Sequence, residues 1–364
     1  MSFTKKRFSE SLSVITEFKD DYFTCKNITP SALTSLTLAM KGFFETYNTL
    51  HSFNYNLDNF SELQEKQFCE FTDYHENYMQ VIIHFHHFIE LIIKDALRFH
   101  SENLANNLRD SKVKEGGLLQ FLRDGRDIGD INFTDKSVEY DKSLNRALAL
   151  PNSSLQGILI QHKEALEEIN TLRNMLLHRG ARFLLYKQLD EFVVRMILPL
   201  VQDILYKCEE LWDGEEIREY WCYDNDYSDI DPIEELTNMS KEEVIDHKAI
   251  AFYKAVGSAL YQKPVGNLLR SIYEEDLIKQ IYDIQDKSKK TCFVCSNDTL
   301  FLYPDIDYSS THKLNKGEHY FKSNKAVCTE CGLRLYKDVN EPADYGINED
   351  EGRIWEYTHL IEIN

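Results

Sequence analysis

"MQVIIHFHHFIELIIKDALRF", residues 79–99, decides the fold. Its apolar density is that of a helix enclosed by protein on nearly all sides. His, Glu, Lys and Arg interrupt it every few residues. No stretch of the chain offers the roughly twenty apolar residues in a row that a membrane span needs. The expectation is therefore a central helix of a soluble, cytoplasmic protein with no membrane association. The first residues, "MSFTKKRFSESLS", carry no apolar run after their charges, so no secretory leader is expected.

Working outward, residues 61–100 predict one or two long helices around that stretch. "SALTSLTLAMKGFFETYNTL", 31–50, predicts another, with Ser31 as its N-cap after Pro30. Residues 101–154 carry turn signals in "KEGG" and "RDGRDIGD" and predict a loop-rich insertion with one short helix. A long helix follows. Leu155, Leu159, His162, Leu166, Ile169, Arg173 and Leu176 form one stripe of it. Residues 186–212 predict a further helix, kinked or restarted at Pro199. Residues 1–212 thus predict an all-helical bundle.

Residues 213–285 predict an acidic connector with short helices. From Asp213 to Lys248 there are 13 acidic and 3 basic residues. Ser240-x-x-Glu243 predicts a capping box opening one helix, and another short helix is expected over 265–285. After Lys290 the texture turns to short β-type segments, so 286–364 predicts a small β domain with an acidic tail from Asp338.

Two motifs carry chemistry. Cys292-Phe-Val-Cys295 and Cys328-Thr-Glu-Cys331 are spaced to close a tetrahedron of four thiolates around structural Zn2+. Gly332 lets the second turn fold back toward its thiolate; the first turn has Ser296 there. Around this zinc ribbon, Lys313, Lys316, Lys322, Lys325, Arg334 and Lys337 form a candidate RNA-binding patch. A protein-binding face, or a ribbon that only caps the fold, are equal alternatives. The net charge of −20 opposes non-specific nucleic-acid binding, so any RNA contact must be local.

The second motif is Arg173-Asn174-x-x-x-His178 in "EINTLRNMLLHRGARF", 168–183. The residues alone leave a surface histidine at a helix end and an Arg173 ion pair with Glu90 or Glu168 open. The segment closely resembles the signature of HEPN domains, the helical "higher eukaryotes and prokaryotes nucleotide-binding" superfamily. An apolar helix carrying Glu90 and Lys94, preceding the motif helix, is also similar to that family. The resemblance covers roughly residues 30–212. It implies a HEPN-like bundle, a metal-independent endoribonuclease of the toxin or phage-defence type, and a homodimer through the motif face. Arg173, Asn174 and His178 would be its catalytic residues, acting on RNA, and an inhibitor or activator protein would restrain it. The acidic segment 213–237 could supply such restraint from within the chain. Two other readings stand beside this one: a non-catalytic dimeric scaffold with a partner-binding zinc ribbon, and a HEPN domain nucleotidylated at Tyr186.

Overall fold

The computed structural model describes residues 28–261 and 289–362, apart from 54, 110–112, 130, 180–182, 209–210, 212–229, 307–317, 340, 348–353 and 356–357. The chain is mainly helical, with a small antiparallel sheet toward the C-terminus. The helix expected over 265–285 and most of the acidic connector lie outside the described residues.

Helix α1 (Pro30–Ser52) packs along α3 (Thr72–His100). Pro30 opens α1 rather than preceding it, so Thr29, not Ser31, is the N-cap. A proline at the first helical position has no N–H to waste and a φ already set for the helix. The Thr29 N–H is taken up by Asp95 Oδ2 of α3 at 2.8 Å. The two helices are brought close at Gly42, where a Cβ would stand 3.0 Å from Gln80 Cβ. Between them in sequence, α2 (Glu62–Phe68) opens with a capping box of Ser61 and Gln64.

The insertion 101–154 is more ordered than its turn signals predict. Short strands β1 (Asn106–Leu108) and β2 (Phe133–Ser137) pair antiparallel, followed by α5 (Tyr140–Ala149), with α4 (Glu115–Arg123) between the strands. The reason is Arg146. Fully buried, it grips the Glu115 carboxylate with two bonds of 2.6 and 2.8 Å and donates to the Leu104 and Asn106 carbonyls. A composition-based reading has no access to one such side chain.

The predicted long helix is two: α6 (Ser154–Gln161) and α7 (Lys163–Arg179). They break at His162, whose Nε2 lies 2.8 Å from Asp203 Oδ2. That aspartate belongs to α9 (Leu198–Lys207), which continues from α8 (Tyr186–Phe192) through a π-turn at Val193–Ile197. The widened turn precedes Pro199, whose ring cannot fit under a normal i−4 carbonyl. The predicted helix 186–212 therefore runs on through its proline and closes at Lys207.

Ser240 opens no helix. It is the C-cap of α10 (Pro232–Met239), and α11 (His247–Tyr261) begins later, with Asp246 accepting from the Lys248 N–H at 2.8 Å. Helix α11 crosses α1 so closely that a Cβ on Gly257 would come within 2.5 Å of the Phe44 ring. Lys254 of α11 and Asp190 of α8 form an ion pair at 2.6 Å with both side chains fully buried. Its ammonium also faces the Tyr186 ring at 4.1 Å.

The C-terminal sheet runs β3 (Lys289–Lys290), β4 (Leu300–Ile306), β5 (Glu318–Cys328), β6 (Arg334–Tyr336), with β7 (Thr358–Glu362) on the same edge of β5 as β6. It docks on the helices through aromatic and polar contacts. Tyr336 stacks on His51 at 3.7 Å, and Tyr345 stacks on Phe252 at 4.4 Å. Asp338, placed by sequence in the acidic tail, is fully buried and accepts the Leu57 N–H at 2.8 Å.

Candidate functional site

Two places gather chemistry. The first is where β4 and β5 begin and end. Their register sets Leu300 opposite Cys328, which brings the two CxxC turns side by side. The turns are built alike. The Ser296 N–H donates to the Cys292 carbonyl at 2.7 Å, and the Gly332 N–H donates to the Cys328 carbonyl at 3.1 Å. The Cys292 N–H reaches Asn297 O, and the Cys328 N–H reaches Leu333 O, both at 2.8 Å. Both turns require a left-handed residue: Gly332 has φ 77° and Ser296 has φ 57°. Serine thus adopts the conformation that glycine takes in the second turn, at the steric cost of a Cβ.

The four sulfur atoms of Cys292, Cys295, Cys328 and Cys331 lie within 4.8 Å of one another. Cys292 Sγ stands 3.7 Å from Cys331 Sγ, and Cys295 Sγ stands 3.6 Å from Cys328 Sγ. A disulfide would need about 2.0 Å. Ligands about 2.3 Å from a tetrahedral ion would stand about 3.8 Å apart. The four cysteines can therefore hold a metal ion such as zinc, with all four positions filled by protein.

Of the basic patch, Lys313 and Lys316 lie outside the described residues, and Lys322 is described by its backbone alone in β5. Lys325 and Arg334 are half-buried, and Lys325 lies 5.5 Å from the centre of the Tyr336 ring. Lys337 is exposed.

The second place is α7. Arg173 and Asn174 are half-buried, and His178 is exposed one turn further on. Arg173 Nη1 donates to Asn174 Oδ1 at 2.9 Å, and Asn174 Nδ2 lies 3.4 Å from Asn170 Oδ1. Among the described residues no hydrogen bond joins His178 to either. Nor does any described carboxylate pair with Arg173: Glu90 is held by Lys94 at 2.6 Å, and Glu168 forms no ion pair. The guanidinium is thus held in place by an amide, with its charge uncompensated by direct contact.

A buried histidine belongs to the same cluster. His86 of α3 is 3% exposed and lies against Tyr140 of α5 at a ring distance of 4.5 Å. Burial, and then the charge of Arg173, push its pKa below the ordinary histidine value, while Glu90 and the Asn170 amide pull the other way. Asn170 also donates to Asp141 at 3.3 Å. The helical spacing Asn170–Asn174–His178 was a signal for Asn170; nothing in the sequence set His86 apart from His84 and His87. Tyr186 is fully buried among α8, α11 and the aromatic cluster, which removes it as an acceptor for nucleotidylation.

Among the described residues no helix is long and apolar enough to cross a membrane. The chain matches no family model, no curated protein and no solved structure.

Proposed function

We propose that the protein is a metal-independent endoribonuclease of HEPN type, acting from the α7 face, with a four-cysteine Zn2+ ribbon that is structural. The observation that carries this reading is Arg173: ordered by Asn174 at 2.9 Å, partly exposed, and without a carboxylate partner among the described residues. A guanidinium so placed is available to a phosphate, which it can clamp with two N–H groups.

The chemistry follows from RNA itself. Its 2′-oxygen attacks the adjacent phosphorus, the P–O5′ bond breaks, and a 2′,3′-cyclic phosphate and a 5′-OH result. A base takes the 2′-OH proton and an acid returns one to O5′. His178 brings to this face an imidazole, a group that can accept or donate a proton. Arg173 offsets the charge that grows on the phosphoryl oxygens, and Asn174 fixes its direction. One chain brings a single exposed motif histidine, so base and acid together call for two copies. Leu177, 50% exposed beside His178, gives this face an apolar contact for a two-fold partner. A toxin or phage-defence role and cytoplasmic action belong to this proposal, as does control by an inhibitor or activator protein.

The alternative is a non-catalytic dimeric scaffold whose ribbon binds a partner; the net charge of −20 favours it. Purified protein incubated with total RNA under chelation, beside His178→Ala, separates the two. Cleavage by the wild type alone supports the nuclease. Silence from both leaves the scaffold or a nuclease lacking its activator, and equal cleavage by both removes His178 from the chemistry.

A further inference from the structure

His86 is a liability to the fold as it stands. Its Nε2 is buried without a hydrogen-bond partner among the described residues, and an unsatisfied buried polar atom destabilises a fold. Such groups ask for an explanation, and a charge-linked role is one.

The charges around this ring are balanced. From α3 come Glu90, whose Oε2 is 4.0 Å from His86 Nδ1, and Lys94, which is bound to Glu90. His87 of the same helix turns its Nδ1 to Ser35 at 2.8 Å. From α7 come Arg173 and the Asn170 amide; from α5 come Tyr140 and Asp141. One cation, Arg173, and one carboxylate, Glu90, therefore act against each other on a histidine whose burial favours the neutral form. A phosphodiester arriving at Arg173 adds one negative charge. A proton on His86 restores the balance and gives the ring its second N–H.

We propose that His86 is a positioning residue that takes up a proton from solvent when an RNA phosphate seats on Arg173. The inference rests on the reading that Arg173 receives RNA. It does not require that the RNA be cut.

The test uses the full-length protein and a 2′-O-methyl oligoribonucleotide, which cannot be cleaved. Binding is followed by calorimetry at pH 6.5 in two buffers of different ionisation enthalpy, which yields the protons taken up. His178→Ala serves as the parent, so that this exposed ring contributes nothing. The parent is expected to take up a fraction of a proton on binding, and the added His86→Leu or His86→Gln to abolish it. Affinity of the parent should rise as pH falls from 7.5 to 5.5, and that dependence should flatten in both variants. His86→Leu should unfold at the wild-type temperature or above, since it removes the unpartnered atom. In the wild type, NMR of the His86 ring should show its pKa rising by about one unit or more when the oligonucleotide binds. Unchanged proton uptake without His86, or no oligonucleotide binding by the wild type, would overturn the proposal. Proton-linked binding by a protein that leaves ordinary RNA intact would sustain it and sink the nuclease.

Discussion

The four-cysteine end and the α7 face use polar groups in opposite ways. Around Cys292, Cys295, Cys328 and Cys331 one hydrogen-bond pattern is repeated twice, and the sulfurs converge with no position open to solvent chemistry. Around α7 the polar groups are arranged but incompletely used: among the described residues Arg173 meets only an amide, exposed His178 has no partner, and His86 of α3 lies buried with an unpartnered nitrogen. The first arrangement is suited to holding a metal ion. The second tolerates an energetic cost, which fits the proposal that these groups are kept for a ligand.

The contrast breaks most visibly under mutation. Cys328→Ser, or stripping of the metal, should cost more than about 4 kcal/mol, because loss of a metal ligand is one of the few single changes that large. Denaturant unfolding, with released metal read by a chelating dye, measures it. His178→Ala in the same assay should stay within about 0.5 kcal/mol, as expected of an exposed side chain. Comparable losses at both places would erase the distinction.

Next in size is the buried pair between α8 and α11. Lys254→Met alone leaves Asp190 charged in the core and should cost about 3–5 kcal/mol, while Lys254→Met with Asp190→Leu should recover most of it. Burial raises the Asp190 pKa and lowers that of Lys254, each against the pull of the other. The pair is thus a specific joint between α8 and α11 rather than a net gain, and equal losses in the single and double variants would contradict that.

A smaller effect is pH-dependent. Burial works against ionised Asp203, but the bonds from His162 and Lys207 prevail and hold its pKa below 3.8. A depressed folded value means that its stabilisation is full above about pH 4 and fades as pH falls through the folded pKa. Asp203→Asn should therefore lower stability at pH 6 and flatten the acid limb of the unfolding curve below pH 4. An acid limb unchanged by the substitution would place the dependence elsewhere.

Smallest is the asymmetry between the two turns. Ser296→Gly should stabilise by up to about 1 kcal/mol, since it removes a Cβ from a left-handed residue, and Gly332→Ala should lose a similar amount. A loss from Ser296→Gly, or no loss from Gly332→Ala, in thermal unfolding would deny that the turns are equivalent.

These regions also differ in how much of them the sequence showed. The cysteine spacing dictates its own geometry, because four ligands of one ion must converge wherever the chain runs between them. The helices were legible from apolar spacing, as α1 and α3 are. What escaped depends on single contacts between distant residues. Arg146 organises the insertion, Asp203 breaks the predicted helix at His162, and Asp338 leaves the acidic tail for the core. Arg173 and Asn174 could be named from the sequence, but the His86 behind Arg173 could not, since only folding brings α3, α5 and α7 together.

The most direct measurement compares one single-stranded oligoribonucleotide with its 2′-deoxy counterpart, each incubated with wild-type protein, Arg173→Ala and His178→Ala under chelation. The account predicts that only the wild type cuts, that only the ribo strand is cut, and that the new ends are 2′,3′-cyclic phosphates. Cutting of the deoxy strand, or undiminished cutting by either variant, would contradict it.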